Sequence, residues 1–176
     1  NKTMMLKKTK FKGLLIVKQR NNLEKRGNLR ETFNDKVLKK KFIFEYCTTS
    51  KQNVLRGFHF QYRNKQSKFV NVVKGKILDV VIDLRKKSKT FGKYFSCILS
   101  ETNAASIYIP PGFAHGFQAL EKDNYVIYSC SRYRDKNSEI SINCNDKDLN
   151  IKWPINKKIL SKKDKKAMSF NKYLEN

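Results

Sequence analysis

Apolar residues along this chain gather in short runs, mostly β-branched or aromatic, bounded by Gly, Pro, Asn or Lys. Runs of that length and composition suit a pleated, half-buried surface, and little of the sequence carries the spacing of an amphipathic helix. They predict nine strands, at 13–18, 41–48, 54–62, 68–74, 76–84, 92–99, 105–109, 115–120 and 125–131. Gly75, between the apolar runs 69–73 and 77–81, predicts a hairpin, and Pro110-Pro111-Gly112 predicts a sharp turn just before His115. Helix is expected only as two short turns, one capped by Asn34 and running to Lys40, the other opened by Ser161 and running to Lys166. Closely spaced short strands of this kind imply an all-β sandwich or barrel with short peripheral helices. No repeat, linker or shift of composition divides the 176 residues, so one domain over 1–176 is expected, with its core at about 13–165 and a loosely packed tail at 166–176.

The period of two along a strand also sorts side chains by face. In Leu55-Arg56-Gly57-Phe58-His59-Phe60-Gln61, His59 and Gln61 point one way while Phe58 and Phe60 point the other. With the aromatic side as core, His59 faces an opposing cavity, and Arg56 joins it only if the strand bends or bulges at Gly57. Taken alone, a lone strand histidine such as His59 is more often a hydrogen-bonded structural residue than a reactive one. The same two readings hold for His115, and Tyr128 is by default a packing aromatic.

Composition narrows the chemistry. The 39% apolar and 12% aromatic content is that of a globular chain with a real core. Cys47, Cys97, Cys130 and Cys144 are far apart and form no C-x-x-C pair, so they read as reduced core thiols of a cytoplasmic protein. The apolar run at 13–17 is too short for a signal segment, and no run approaches the length of a membrane span. A net charge of +24 raises the possibility of a nucleic-acid or membrane-surface partner. Only eight of the 39 basic residues are arginine, however, and the lysines are spread along the whole chain. That pattern is a compositional bias rather than a nucleic-acid surface, which would bring arginine forks and clustered aromatics. It favours any polyanion, a sugar diphosphate included.

With two histidines in all, no H-x-H pair and no cysteine spacing to replace one, a metal centre is not expected. Phosphate-loop and dinucleotide glycine patterns are missing, and Gly112-Phe113-Ala114-His115-Gly116 has no serine for a nucleophile elbow. Acid–base chemistry without metal or cofactor remains.

Several segments, in order, resemble one family: Arg26-Gly27 with Glu31 and Phe33; Val54-Leu55-Arg56-Gly57-Phe58-His59-Phe60-Gln61; Lys68-Phe69-Val70 through Gly75; Val80-Val81-Ile82-Asp83-Leu84-Arg85-Lys86; Thr90-Phe91-Gly92-Lys93; Ile109-Pro110-Pro111-Gly112-Phe113-Ala114-His115-Gly116-Phe117; Asp148-Leu149-Asn150-Ile151-Lys152-Trp153-Pro154; and Ile159-Leu160-Ser161-Lys162-Lys163-Asp164. Across about 23–165 the chain resembles the dTDP-4-dehydrorhamnose 3,5-epimerases. The resemblance implies a cupin-type jelly roll, or double-stranded β-helix. It also implies a metal-independent isomerase of deoxysugar, rhamnose and cell-surface polysaccharide biosynthesis, with a nucleotide-diphosphate-linked 4-ketosugar as substrate. A carbonyl at C4 acidifies C3–H and C5–H, so inversion needs a base on one face, an acid on the other and something to hold the enolate oxygen.

On this resemblance the base is His59, oriented by Asp164, the acid is Tyr128, and Lys68 lies near the sugar carbonyl. Arg26, Glu31, Arg56, Gln61, His115, Glu139 and Lys163 fall to substrate binding, and Tyr133 to stacking on the base. A homodimer with exchanged strands and contacts from the partner subunit is implied too, and no nucleic acid or membrane partner. The chain departs from the family where a polar Q-x-N-x-S segment usually stands, for here Phe44, Tyr46 and Thr48 take its place; Phe60 replaces a usual tyrosine. The departures leave room for a C3-only or C5-only epimerase on another nucleotide-linked ketosugar. A non-catalytic basic nucleic-acid- or anion-binding protein is the reading from a different class.

Overall fold

A computed structural model describes residues 4–176 of the chain. Two antiparallel sheets face each other. The six-stranded one contains, in spatial order, β1 (Met4–Lys8), β2 (Leu15–Gln19), β10 (Ala105–Ile109), β7 (Lys68–Lys74), β12 (Asp123–Cys130) and β5 (Phe44–Lys51). The five-stranded one runs β13 (Glu139–Ser141), β6 (Leu55–Gln61), β11 (Phe113–Ala119), β8 (Lys76–Asp83) and β9 (Tyr94–Ser100). A small ribbon of β3 (Asn21–Glu24) and β4 (Gly27–Arg30) forms a two-stranded sheet apart from both, among the described residues. The expected jelly roll is therefore present, and Gly75 turns β7 into β8 as its position predicted.

The space between the sheets is filled by residues such as Val70, Val81, Leu99, Ile107, Phe117 and Val126, all essentially inaccessible. Unlike a simple sandwich, each sheet also buries an outer face. Phe58, Phe60, Val80 and Ile82 lie under the C-terminal segment through Ile142, Leu149, Trp153 and Phe170. Phe69 and Tyr108 are covered by Leu38 of α1 (Asp35–Leu38) and by Phe42. Phe58 and Phe60 are thus core, as the alternation predicted, and His59 is left facing the gap between the sheets.

Several expectations change. The strand expected at 41–48 begins at Phe44, because α1 ends at Leu38 on a left-handed Lys39 and Phe42 stacks on Phe69 at 6.2 Å instead of entering the sheet. β1, β3, β4 and β13 were not foreseen, since their polar or lysine-rich sequences carry little strand propensity. The tail at 166–176 is docked, not loose: Phe170 of α3 (Phe170–Leu174) is buried, its backbone N–H donates to Asp146 Oδ2 at 2.8 Å, and Met168 bridges to Ile142. Of the four free thiols only Cys130 and Cys144 are core residues; Cys97 is half-buried and Cys47 is exposed on the edge strand β5.

Two motif glycines explain how β6 and β11 approach. A Cβ on Gly57 would sit 2.6 Å from Gly116 Cα and 2.7 Å from His115 O, and a Cβ on Gly116 would meet Arg56 O at 2.8 Å. Gly57 also holds a φ of +120°, which side chains rarely adopt. The ladder shifts register between His115 and Phe117, at the level of Gly57, where a bend or bulge was the condition for Arg56 to share the face of His59. His115 and His59 lie directly opposite each other across it.

Candidate active site

His59 leaves β6 toward α2 (Lys162–Lys165) and meets a carboxylate from far along the chain: Nε2 lies 2.7 Å from Asp164 Oδ1. Ser161 caps α2 by accepting the Asp164 N–H at 3.1 Å, which fixes the first turn and the carboxylate with it. The other Asp164 oxygen accepts the Gly57 N–H at 3.1 Å, so the carboxylate braces both the imidazole and the strand that carries it. Burial alone would raise the Asp164 carboxyl. The hydrogen bond and charge of His59 and the Gly57 N–H outweigh that and hold it below the usual carboxylate range. The His59 side chain keeps 35% of its accessibility while Asp164 keeps 3%, so the pair is anchored on its carboxylate side and open on its imidazole side.

The opposite wall comes from the six-stranded sheet. Cross-strand register lines up Tyr46, Tyr128 and Val70 in one row, and Phe44, Cys130 and Lys68 in the next. Burial lowers the Lys68 ammonium from its ordinary value, with Cys130, Glu139 and Asp79 pulling it back. Burial likewise pushes the Tyr128 phenol well up, and Tyr46 and Asp79 add to it. Four rings form a continuous stack along this wall. Tyr133 lies on Phe44 at 5.7 Å, Phe44 on Tyr46 at 5.9 Å, and Tyr46 on Tyr128 at 4.6 Å with only 9° between the last two planes.

Between the walls lies a cavity of about 430 Å³, lined by Phe44, Tyr46, His59, Phe60, Gln61, Gln66, Lys68, Phe113, Arg134, Glu139, Ser161 and Lys163. At its rim Glu139 accepts Arg134 Nε at 2.7 Å and pairs with Lys163. The Arg134 hydrogen bonds, with help from Lys163, overcome partial burial and bring the Glu139 carboxyl down to about 2.

The residues expected at a site divide into three groups. His59, Lys68, Gln61, Glu139 and Lys163 line the cavity together, with Asp164 behind His59. Gln61 is also a brace: its amide donates to the carbonyls of Asn64 and Tyr133 and accepts the Asp135 N–H. Tyr128, Tyr133, Arg56 and His115 stand around the cavity without lining it. Arg56 ties β6 to β5 through Ser50 Oγ at 3.0 Å and the Thr49 carbonyl at 3.2 Å. His115 is buried with its Nε2 2.6 Å from Asp79 Oδ1. Arg26 and Glu31 are elsewhere: Arg26 pairs with Glu24 in the β3–β4 ribbon, 85% exposed, and Glu31 accepts the Asn34 amide.

Sequence reasoning missed Asp79, Arg134 and the position of Tyr46. An acid inside the apolar run Ile77-Leu78-Asp79-Val80-Val81 was the available signal for the first. For metal binding, no group of three or more His, Cys, Asp or Glu comes together among the described residues.

An imidazole held by a buried carboxylate, sharing a cavity with an ammonium and a phenol in a β jelly roll, defines an acid–base enzyme of the cupin fold. The chain matches the dTDP-4-dehydrorhamnose 3,5-epimerase family over residues 8–172, and it belongs to that family, whose members are isomerases. The dTDP-4-dehydrorhamnose 3,5-epimerase of Methanothermobacter thermautotrophicus is 37% identical over 166 residues, 90% of each chain. The solved structure of dTDP-6-deoxy-D-glucose-3,5-epimerase from Legionella pneumophila Philadelphia 1, in complex with dTDP-4-keto-L-rhamnose, is 35% identical. It superimposes with a TM-score of 0.90, covering 96% of this chain and 93% of that one. A 3′-monoepimerase from Streptomyces bikiniensis, in complex with dTDP-quinovose, reaches a TM-score of 0.89 at 26% identity, over 95% of this chain and 88% of its own.

Proposed function

We propose that this chain inverts C3 and C5 of dTDP-4-keto-6-deoxyglucose by proton transfer through an enolate. The observation that carries the reading is the His59–Asp164 pair facing Lys68 and the phenol wall across one cavity. His59 takes the proton beside the ketone, and Asp164 fixes its tautomer and stabilises the imidazolium that forms. The Lys68 ammonium meets the oxyanion as it develops at C4, in a setting where burial strengthens the interaction. A phenol of the facing sheet, at Tyr128 on the family pattern, returns a proton from the other side. No step needs a metal or cofactor. Arg56, Gln61, His115, Tyr133, Glu139 and Lys163 frame the nucleotide and sugar.

Arg26 and Glu31 complete the site of a second copy in a homodimer. The β3–β4 ribbon supports this, because among the described residues it joins neither large sheet and it leaves Leu23 81% and Leu29 62% exposed. Light scattering on the purified protein is expected to give twice the chain mass. The enzyme works in the cytoplasm, where an exposed thiol such as Cys47 stays reduced.

A C3-only course is the second reading, and Phe44 and Tyr46, which line the cavity where the family has amides, are its motive. One experiment separates the two: incubation with dTDP-4-keto-6-deoxyglucose in D₂O, with deuterium counted at each carbon. Label at C3 and C5 supports the leading reading, label at C3 alone supports the second, and no label rejects both.

A further inference from the structure

Arg134 lines the cavity but has no part in the proton transfers at His59. Its surroundings nonetheless hold it in place. The residues on either side of it are both gripped by the Gln61 amide, which donates to the Tyr133 carbonyl at 3.4 Å and accepts the Asp135 N–H at 3.0 Å. The Tyr133 ring is fixed in turn against Phe44. The guanidinium is held along one edge, where Nε donates to Glu139 Oε2 at 2.7 Å and Nη2 to Oε1 at 3.1 Å. The Glu139 side chain is only 11% exposed and also pairs with Lys163. It stands opposite Gln61 in the β13–β6 ladder, two residues along β6 from His59, so Arg134 is tied to the strand that carries the base.

That arrangement leaves a definite part of the guanidinium unused. Nε and one Nη2 hydrogen are committed to Glu139, while Nη1 has no hydrogen-bond partner among the described residues. The end-on fork of Nη1 and Nη2 is therefore intact, on a side chain that is 58% exposed at the cavity rim. Such a planar fork matches two oxygens of one phosphoryl group, with a geometry that a lone ammonium cannot reproduce. Charge points the same way, because two cations around one carboxylate leave the Arg134–Glu139–Lys163 cluster with a net positive charge. A ring surface is supplied elsewhere, by the stack of Tyr133, Phe44 and Tyr46, so a nucleobase has no need of the Arg134 face.

We infer that Arg134 grips the diphosphate of the substrate through its end-on fork, with Glu139 as the strut that aims it. The inference rests on the nucleotide-diphosphate-sugar reading proposed above. It also accounts for a carboxylate at the mouth of a cavity that takes an anion: the charge of Glu139 is cancelled by the residues it orients. With the strut on β13 and the base on β6, the diphosphate is registered against His59 by the pairing of two neighbouring strands.

The test titrates dTDP and thymidine, which differ only in the diphosphate, into the protein and reads both affinities by ligand-observed NMR. Arg134→Lys keeps the charge and loses the fork. The double variant Arg134→Gln with Glu139→Gln loses the fork without leaving the carboxylate unneutralised. Each is expected to weaken dTDP by about 10-fold or more, the scale of a lost charge-assisted pair, while thymidine changes by less than about twofold. Retained thymidine binding also shows that the variant is folded. Equal weakening of the two ligands overturns the inference, since Arg134 then serves the nucleoside. Undiminished dTDP affinity in either variant overturns it too, because a point charge or Lys163 then suffices. Failure of the unaltered protein to bind dTDP rejects the nucleotide-sugar reading itself.

Discussion

His59 gains its chemical meaning from a carboxylate 105 residues further along the chain. Nothing in Ser161-Lys162-Lys163-Asp164 marks the last residue as a partner for a strand histidine; the order of motifs suggested it, and the capped turn of α2 supplies the geometry. Asp164→Asn keeps the shape but lets the imidazole adopt either tautomer. A loss of turnover of about 100-fold or more is expected, with little change in the thermal midpoint, as read by steady-state kinetics and melting. Tyr46 was harder to place. In sequence its arrival reads only as the loss of an amide, and that it covers Tyr128 follows from the register of β5 on β12, which no local pattern encodes.

Glu139 carries a pH prediction at the same scale. Its carboxyl lies at about 2 in the fold against 4.5 ordinarily, so the unfolded chain binds more protons between those values. The stability it contributes is fully present above pH 4.5 and is lost as the pH falls toward about 2. Urea titrations of Glu139→Gln are expected to show a flatter decline across that interval than the parent. An equally steep decline would mean that the Arg134–Glu139–Lys163 cluster is solvated and contributes nothing.

At the scale of elements, the central strands were legible because each is a β-branched or aromatic run ending at a turn residue, as in the pair joined by Gly75. The β3–β4 ribbon was not, since Asn21-Asn22-Leu23-Glu24 and Gly27-Asn28-Leu29-Arg30 have neither β-branched residues nor a buried face in their own chain. The C-terminal segment misled for the opposite reason. Its lysines suggest a solvated tail, but Phe170 and Tyr173 form one covering side that seats on the sheet behind the site. Phe170→Ala should therefore cost about 3 kcal/mol, measurable by urea unfolding. Gly57→Ala should be comparably severe, because the new methyl meets Gly116 and the backbone sits at positive φ; about 3 kcal/mol or more is expected.

For the whole molecule, the charge of +24 gives no site but surrounds the site with a field that favours anions. Screening shortens that field to about 8 Å at physiological ionic strength. Raising salt is expected to lower kcat/KM for the sugar diphosphate several-fold while leaving kcat nearly unchanged, since capture is assisted and the proton transfers are not. A salt-independent kcat/KM would confine the useful charge to Lys68, Lys163 and the arginines around the cavity. The proposed homodimer belongs to this scale too, because Arg26 lies exposed in the β3–β4 ribbon and does not line the cavity of its own chain.

Proton transfer at His59 is the claim on which the rest depends. Its most direct measurement is the incorporation of solvent deuterium into dTDP-4-keto-6-deoxyglucose by the unaltered enzyme and by His59→Ala. The account predicts label at C3 and C5 for the first and none at either carbon for the second. Undiminished label in His59→Ala would contradict it.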